Sequence, residues 1–98
     1  AQVPGMINDM KETLSAESVK AQAVDVANKL SLVSTSPDYI ELIHTFPSEP
    51  FRVTVEDGYV TVEAGGKQAV AKTLSTLSFG PEIVNVISIT KDEIRKVG

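Results

Sequence analysis

His44 is the chain's only histidine and the one side chain whose ordinary pKa lies near neutrality, which suits a general base or a pH switch. It sits in YIELIHTF (residues 39–46), where alternation places it with Ile40, Leu42 and Phe46 on the face expected to be buried. No Ser-His-Asp spacing and no second ligand residue accompany it, so the expectation is a partly buried, hydrogen-bonded histidine near a strand end. The carboxylates offer no acid/base couple either. Glu56 and Asp57 belong to a turn and its cross-strand pair, and Asp92 and Glu93 suit the positive end of a helix. Neither HExxH nor a DxDxDG loop occurs, and the absence of cysteine removes thiolate nucleophiles, disulfides and Cys-based metal sites. Gly65-Gly66-Lys67 ahead of an expected helix could attract an anion through free amide N–H groups. It lacks the GxxxxGK[ST] frame, so the two glycines are expected simply to let the chain leave a sheet. No catalytic residue, metal ligand or cofactor is therefore assigned.

Something must position these residues, and 98 of them make one domain with a modest core. The 42% hydrophobic and 22% charged fractions are those of an ordinary folded protein. A net charge of -4 argues against broad binding to nucleic acid or anionic lipid, both of which need concentrated Lys and Arg. The five Phe and Tyr residues are too sparse for a base-stacking platform. Cations gather only at Lys91, Arg95 and Lys96. No apolar run approaches the roughly 18 residues of a membrane span. The opening residues show no charged-then-apolar leader, so any signal peptide is expected to have been removed or never to have existed.

The clearest local signal is FRVTVEDGYVTVEA (residues 51–64). Asp57-Gly58 suits a type I′ turn, which needs positive φ at both central residues. Folding about it sets Glu56 against Tyr59, Val55 against Val60, Thr54 against Thr61, Val53 against Val62 and Arg52 against Glu63. A slip of one residue would turn the valines to water, so the register is fixed. Tyr59 is then an aromatic on the polar face, either shielding Glu56 or offering a contact anchor.

Around the hairpin, the spacing predicts an N-terminal helical segment over 6–33. Ile7, Met10 and Leu14 are out of phase with Val19, Ala23, Val26, Leu30 and Val33, so a break near Ser15, acting as N-cap, is expected, the alternative being one long, slightly rotated helix. Residues 39–46 predict a strand, 67–79 a crossover helix with Val70, Leu74 and Leu77 on one face, and 82–89 a fourth strand. Gly80-Pro81 is expected to end the crossover helix. Thr90-Lys91-Asp92-Glu93 has the form of a capping box opening a short terminal helix. The fold class is α+β, with a small mixed sheet packed on helices and the last strand parallel to the hairpin's second strand.

Asp57-Gly58-Tyr59-Val60-Thr61-Val62-Glu63-Ala64-Gly65, the alanines Ala69 and Ala71, and GPEIVNVISI (80–89) together resemble the BON domain, a small ββαβ module. The resemblance covers 51–89 and implies a non-catalytic, envelope-associated module that contacts phospholipid or another protein. It departs from the family at Pro81 and in the extra 39–46 strand. The expected function is a non-enzymatic interaction module with a protein partner or self-association, lipid as a further partner and no nucleic acid. Its expected contact surface is Tyr59, Arg52, Glu63, Lys91, Arg95 and Lys96. The alternative is a structural subunit of a larger symmetric assembly such as a virion, tail or secretion ring, built through stiff connectors and open strand edges. A small enzyme using His44 is a third reading.

Overall fold

The computed structural model describes residues 15–47 and 49–98. Among these residues, one helix, α1 (Ala16–Thr35), precedes seven strands: β1 (Leu42–Thr45), β2 (Phe51–Glu56), β3 (Tyr59–Ala64), β4 (Lys67–Lys72), β5 (Phe79–Val84), β6 (Val86–Ile89) and β7 (Ile94–Lys96). The class is α+β, as the sequence leads one to expect.

Helix α1 begins where its capping chemistry dictates. Ser15 is extended (φ -85°, ψ 159°) and its hydroxyl accepts the Ser18 N–H at 3.0 Å, with Glu17 in the first turn. The apolar stripe Val19, Ala23, Val26, Ala27, Leu30 and Val33 is fully buried. At its far end the Ser36 N–H returns to the Leu32 carbonyl. The expected helical stretch before Ser15 lies outside the described residues.

Strands β2 and β3 pair in the predicted register, from Arg52 opposite Glu63 to Glu56 opposite Tyr59. Asp57 (φ 53°) and Gly58 (φ 80°) both take positive φ, the requirement of the type I′ turn. Val53, Val55, Val60 and Val62 point inward and are buried.

Beyond residue 64 the expected helix is replaced by a strand. Gly65 (φ 59°) and Gly66 (φ 74°) make a second two-residue turn, and β4 pairs antiparallel with β3 from Ala64–Lys67 to Tyr59–Lys72. The 4,3 spacing of Val70, Leu74 and Leu77 suggests a helical face, yet Val70 and Leu74 are exposed. Burial alternates along β4 instead, turning Ala69 and Ala71 inward. Their small side chains let α1 lie across β3 and β4, so tertiary packing overrides the helical preference of alanine.

The expected single strand over 82–89 is two. β5 runs antiparallel to β2, and β6 pairs with β1 and β7. Asn85 stands between them, and its carbonyl accepts the Phe46 N–H at 2.8 Å. The result is two antiparallel sheets, β4-β3-β2-β5 and β1-β6-β7, instead of one mixed sheet. In the first, three hairpin-linked strands are followed by a fourth returning beside the first, a Greek key. All strand pairs among the described residues are antiparallel: β5 runs in the same direction as β3, as expected of the last strand, but it pairs with β2, and strand β4 stands where a helical crossover was expected. Gly80-Pro81 lies within β5 and so ends no helix. The β2–β5 register shifts between Val53 and Val55 beside it.

The expected terminal helix is strand β7. The Thr90 hydroxyl does accept the N–H groups of Asp92 and Glu93, at 3.3 and 3.1 Å, as a cap would. However, the Thr90 N–H also donates to the Glu93 carbonyl at 3.0 Å, closing a hairpin that buries Ile94 opposite Ile89. Such side chain–backbone bonds serve turns as readily as helices.

Candidate functional site

The parity of β1 turns His44 inward, where it is only 3% exposed. Ile87 stands opposite it in register, and its ring meets Phe46 edge-on at 4.6 Å. Phe46 in turn stacks on Phe51 at 4.8 Å. The ring's polar edge faces α1. There Gln22, Asp25 and Lys29, spaced by three and four residues, occupy one margin of the buried stripe.

Lys29 Nζ lies 2.8 Å from His44 Nδ1, and Gln22 Oε1 lies 2.8 Å from Nε2. Asp25 Oδ2 is 3.1 Å from both Lys29 Nζ and His44 Nδ1. An ammonium can only donate, so Nδ1 accepts from Lys29 and the neutral ring carries its proton on Nε2, donating to Gln22. Burial pushes the imidazole below its ordinary pKa of 6.5, and the Lys29 charge pushes the same way; Asp25 opposes both. Both ring nitrogens are thus engaged, and the neutral form is the one this geometry favours.

A second polar knot lies at the end of the four-stranded sheet. The Thr73 hydroxyl donates to the Ala27 carbonyl at 3.0 Å, and Ser31 Oγ lies 3.2 Å from Thr73 Oγ1. Ser31 Oγ also accepts the Leu74 N–H at 3.0 Å. The Thr73 N–H donates to the Gly58 carbonyl at 2.9 Å. One buried threonine therefore joins the helix, the first hairpin turn and the β4–β5 connection.

Of the expected contact residues, Tyr59, Arg52 and Glu63 share the outward face of the four-stranded sheet. Arg52 Nε and Glu63 Oε1 are 3.5 Å apart. Register places Glu56, Tyr59 and Lys72 in one row of that face, Thr54, Thr61 and Val70 in the next, and Ile83, Arg52, Glu63 and Gln68 in a third. Tyr59, Val70 and Ile83 are 49%, 51% and 53% exposed.

Lys91, Arg95 and Lys96 belong instead to the β6–β7 hairpin of the other sheet, so the six do not form one surface. Arg95 approaches Glu41 at 4.0 Å, and Glu41 also accepts from the Ser88 hydroxyl. Lys91 Nζ reaches the Ser36 carbonyl at 3.4 Å. Gly65 and Gly66 are spent on a hairpin turn, and with no helix after them they make no anion cradle. Glu56 and Asp57, and likewise Asp92 and Glu93, sit at hairpin turns.

The partners of His44 were legible only in part. Gln22, Asp25 and Lys29 border the apolar positions 19, 23, 26 and 30, a signal for a polar seam, but nothing in their types tells which strand meets them. Comparison with protein-family models, with curated proteins and with solved structures gives no match. Within 51–89, the helix that the BON resemblance implies is occupied by strand β4.

Proposed function

We propose that this protein is a non-enzymatic interaction module that binds a protein partner through the outward face of the four-stranded sheet, β4-β3-β2-β5. The observation that carries this reading is the half-exposed trio Tyr59, Val70 and Ile83, set among charges of both signs. Aromatic and aliphatic anchors inside a polar surround are the composition of protein contact surfaces. A mixed-sign face on a chain of net charge -4 suits a protein better than an anionic membrane. His44 supports the non-catalytic part of the reading, because a base only 3% exposed with both nitrogens engaged has no free edge for a substrate.

A tagged wild-type chain and its Tyr59→Asp variant, both checked for native circular dichroism, test the proposal against an extract of the native source. Light scattering on the isolated chain separates self-association from a foreign partner. A protein, or a second copy, retained by the wild type and lost from Tyr59→Asp is expected. Binding to anionic vesicles that Tyr59→Asp leaves intact, with no protein retained, would contradict it.

A further inference from the structure

Among the described residues, only one buried titratable group sits across the helix–sheet boundary, and its neighbours are arranged so that one proton changes who bonds to whom. In the neutral state Lys29 bridges Asp25 and His44 Nδ1. A proton arriving on Nδ1 turns that acceptor into a donor. It can then serve only Asp25 Oδ2, already 3.1 Å away, while Nε2 keeps Gln22. Lys29, left 2.8 Å from an imidazolium, loses an acceptor and meets a like charge. Its side chain is 27% exposed, so it has a path to water.

We propose that Gln22, Asp25, Lys29 and His44 form a pH-sensitive latch between α1 and β1, closed with a neutral ring and loosened when protonation expels Lys29 from the seam. Among the described residues, the charged groups at the ring come from the helix: Asp25 and Lys29. From the sheet side, Ile87 and Phe46 face it, and Lys96, paired with Ile87 one strand further, is exposed.

The sign follows from linkage. The ring's proton affinity is lower folded than unfolded, so acid favours the unfolded chain. The latch's stabilisation is complete above about pH 6.5. It declines as pH falls from there to the folded-state pKa, and falls no further below it. No other side chain has an ordinary pKa inside that window.

Two measurements test the latch between pH 7 and 5. In the first, urea unfolding midpoints are compared for the wild type, His44→Gln and Lys29→Met. The wild-type midpoint falls with acid, that of His44→Gln stays level, and that of Lys29→Met falls less because the ring's pKa rises towards 6.5. In the second, amide exchange at Ile43–Thr45, corrected for intrinsic rates, loses protection with acid in the wild type. Should His44→Gln fail to fold, NMR titration of the ring in the wild type and Lys29→Met carries the same test. A wild-type ring titrating at 6.5 or above, an unchanged value in Lys29→Met, or full retention of β1 protection at pH 5 would overturn the proposal.

Discussion

Lys29 of the helix and His44 of the first strand stand 2.8 Å apart, an ammonium donating to a buried imidazole. Fifteen residues of separation are closed by a contact that constrains both partners. The ring must stay neutral to accept, and the ammonium keeps Asp25 as its second partner. This arrangement turns the chain's one candidate for acid–base chemistry into a joint of the fold.

Asp25→Asn is expected to lower the His44 pKa further, because the carboxylate is the one neighbour favouring imidazolium. Ring titration by NMR would place the midpoint below that of the wild type. An unchanged or higher midpoint would show that Asp25 does not act on the ring.

Gly80→Ala is expected to be among the most damaging single changes. A Cβ there would overlap the Val53 carbonyl oxygen and lie 2.8 Å from the Glu82 nitrogen, on a residue with φ of +77°. Clash and left-handed backbone together suggest a loss of about 3 kcal/mol or more, read from chemical denaturation. Gly66→Ala, with nothing near its Cβ, carries only the positive-φ strain and is expected to lose about 1 kcal/mol.

Thr73→Val keeps the shape of the side chain and removes its hydroxyl. The bond to Ala27 and the partner of Ser31 are lost inside a buried site, so about 1–3 kcal/mol of stability should go. Thr73→Ser keeps the hydroxyl and should lose less. If Thr73→Val is the more stable of the two by urea denaturation, the knot is not a stabilising one.

The hairpin was legible to the residue because two independent signals agreed. Asp57-Gly58 fixed the turn, and the alternating valines fixed which face turns inward. His44 was legible as buried by the same alternation. Strand β4 was not, since KQAVAK contains no β-branched residue but Val70, and Ala69 and Ala71 suit a helix locally. What decides the strand is the second glycine pair, acting as another two-residue turn, and the room alanine leaves for α1. The Thr90 turn misleads for a related reason: its hydroxyl makes the bonds of a helix cap, and only the pairing of Ile94 with Ile89 shows that a strand follows. Helix partners such as Gln22 and Lys29 lie beyond any local pattern, because the strand they meet is chosen by the tertiary fold.

The contact face is tested most directly by photo-crosslinking. A benzophenone amino acid is placed at position 59 in one protein and, as a control, at the exposed helix position 20 in another. Each is irradiated in extract of the native source and with the purified chain alone. The account predicts a discrete protein adduct from position 59, to a partner or to a second copy, and none from position 20. No adduct from position 59, or the same adduct from both, would contradict it.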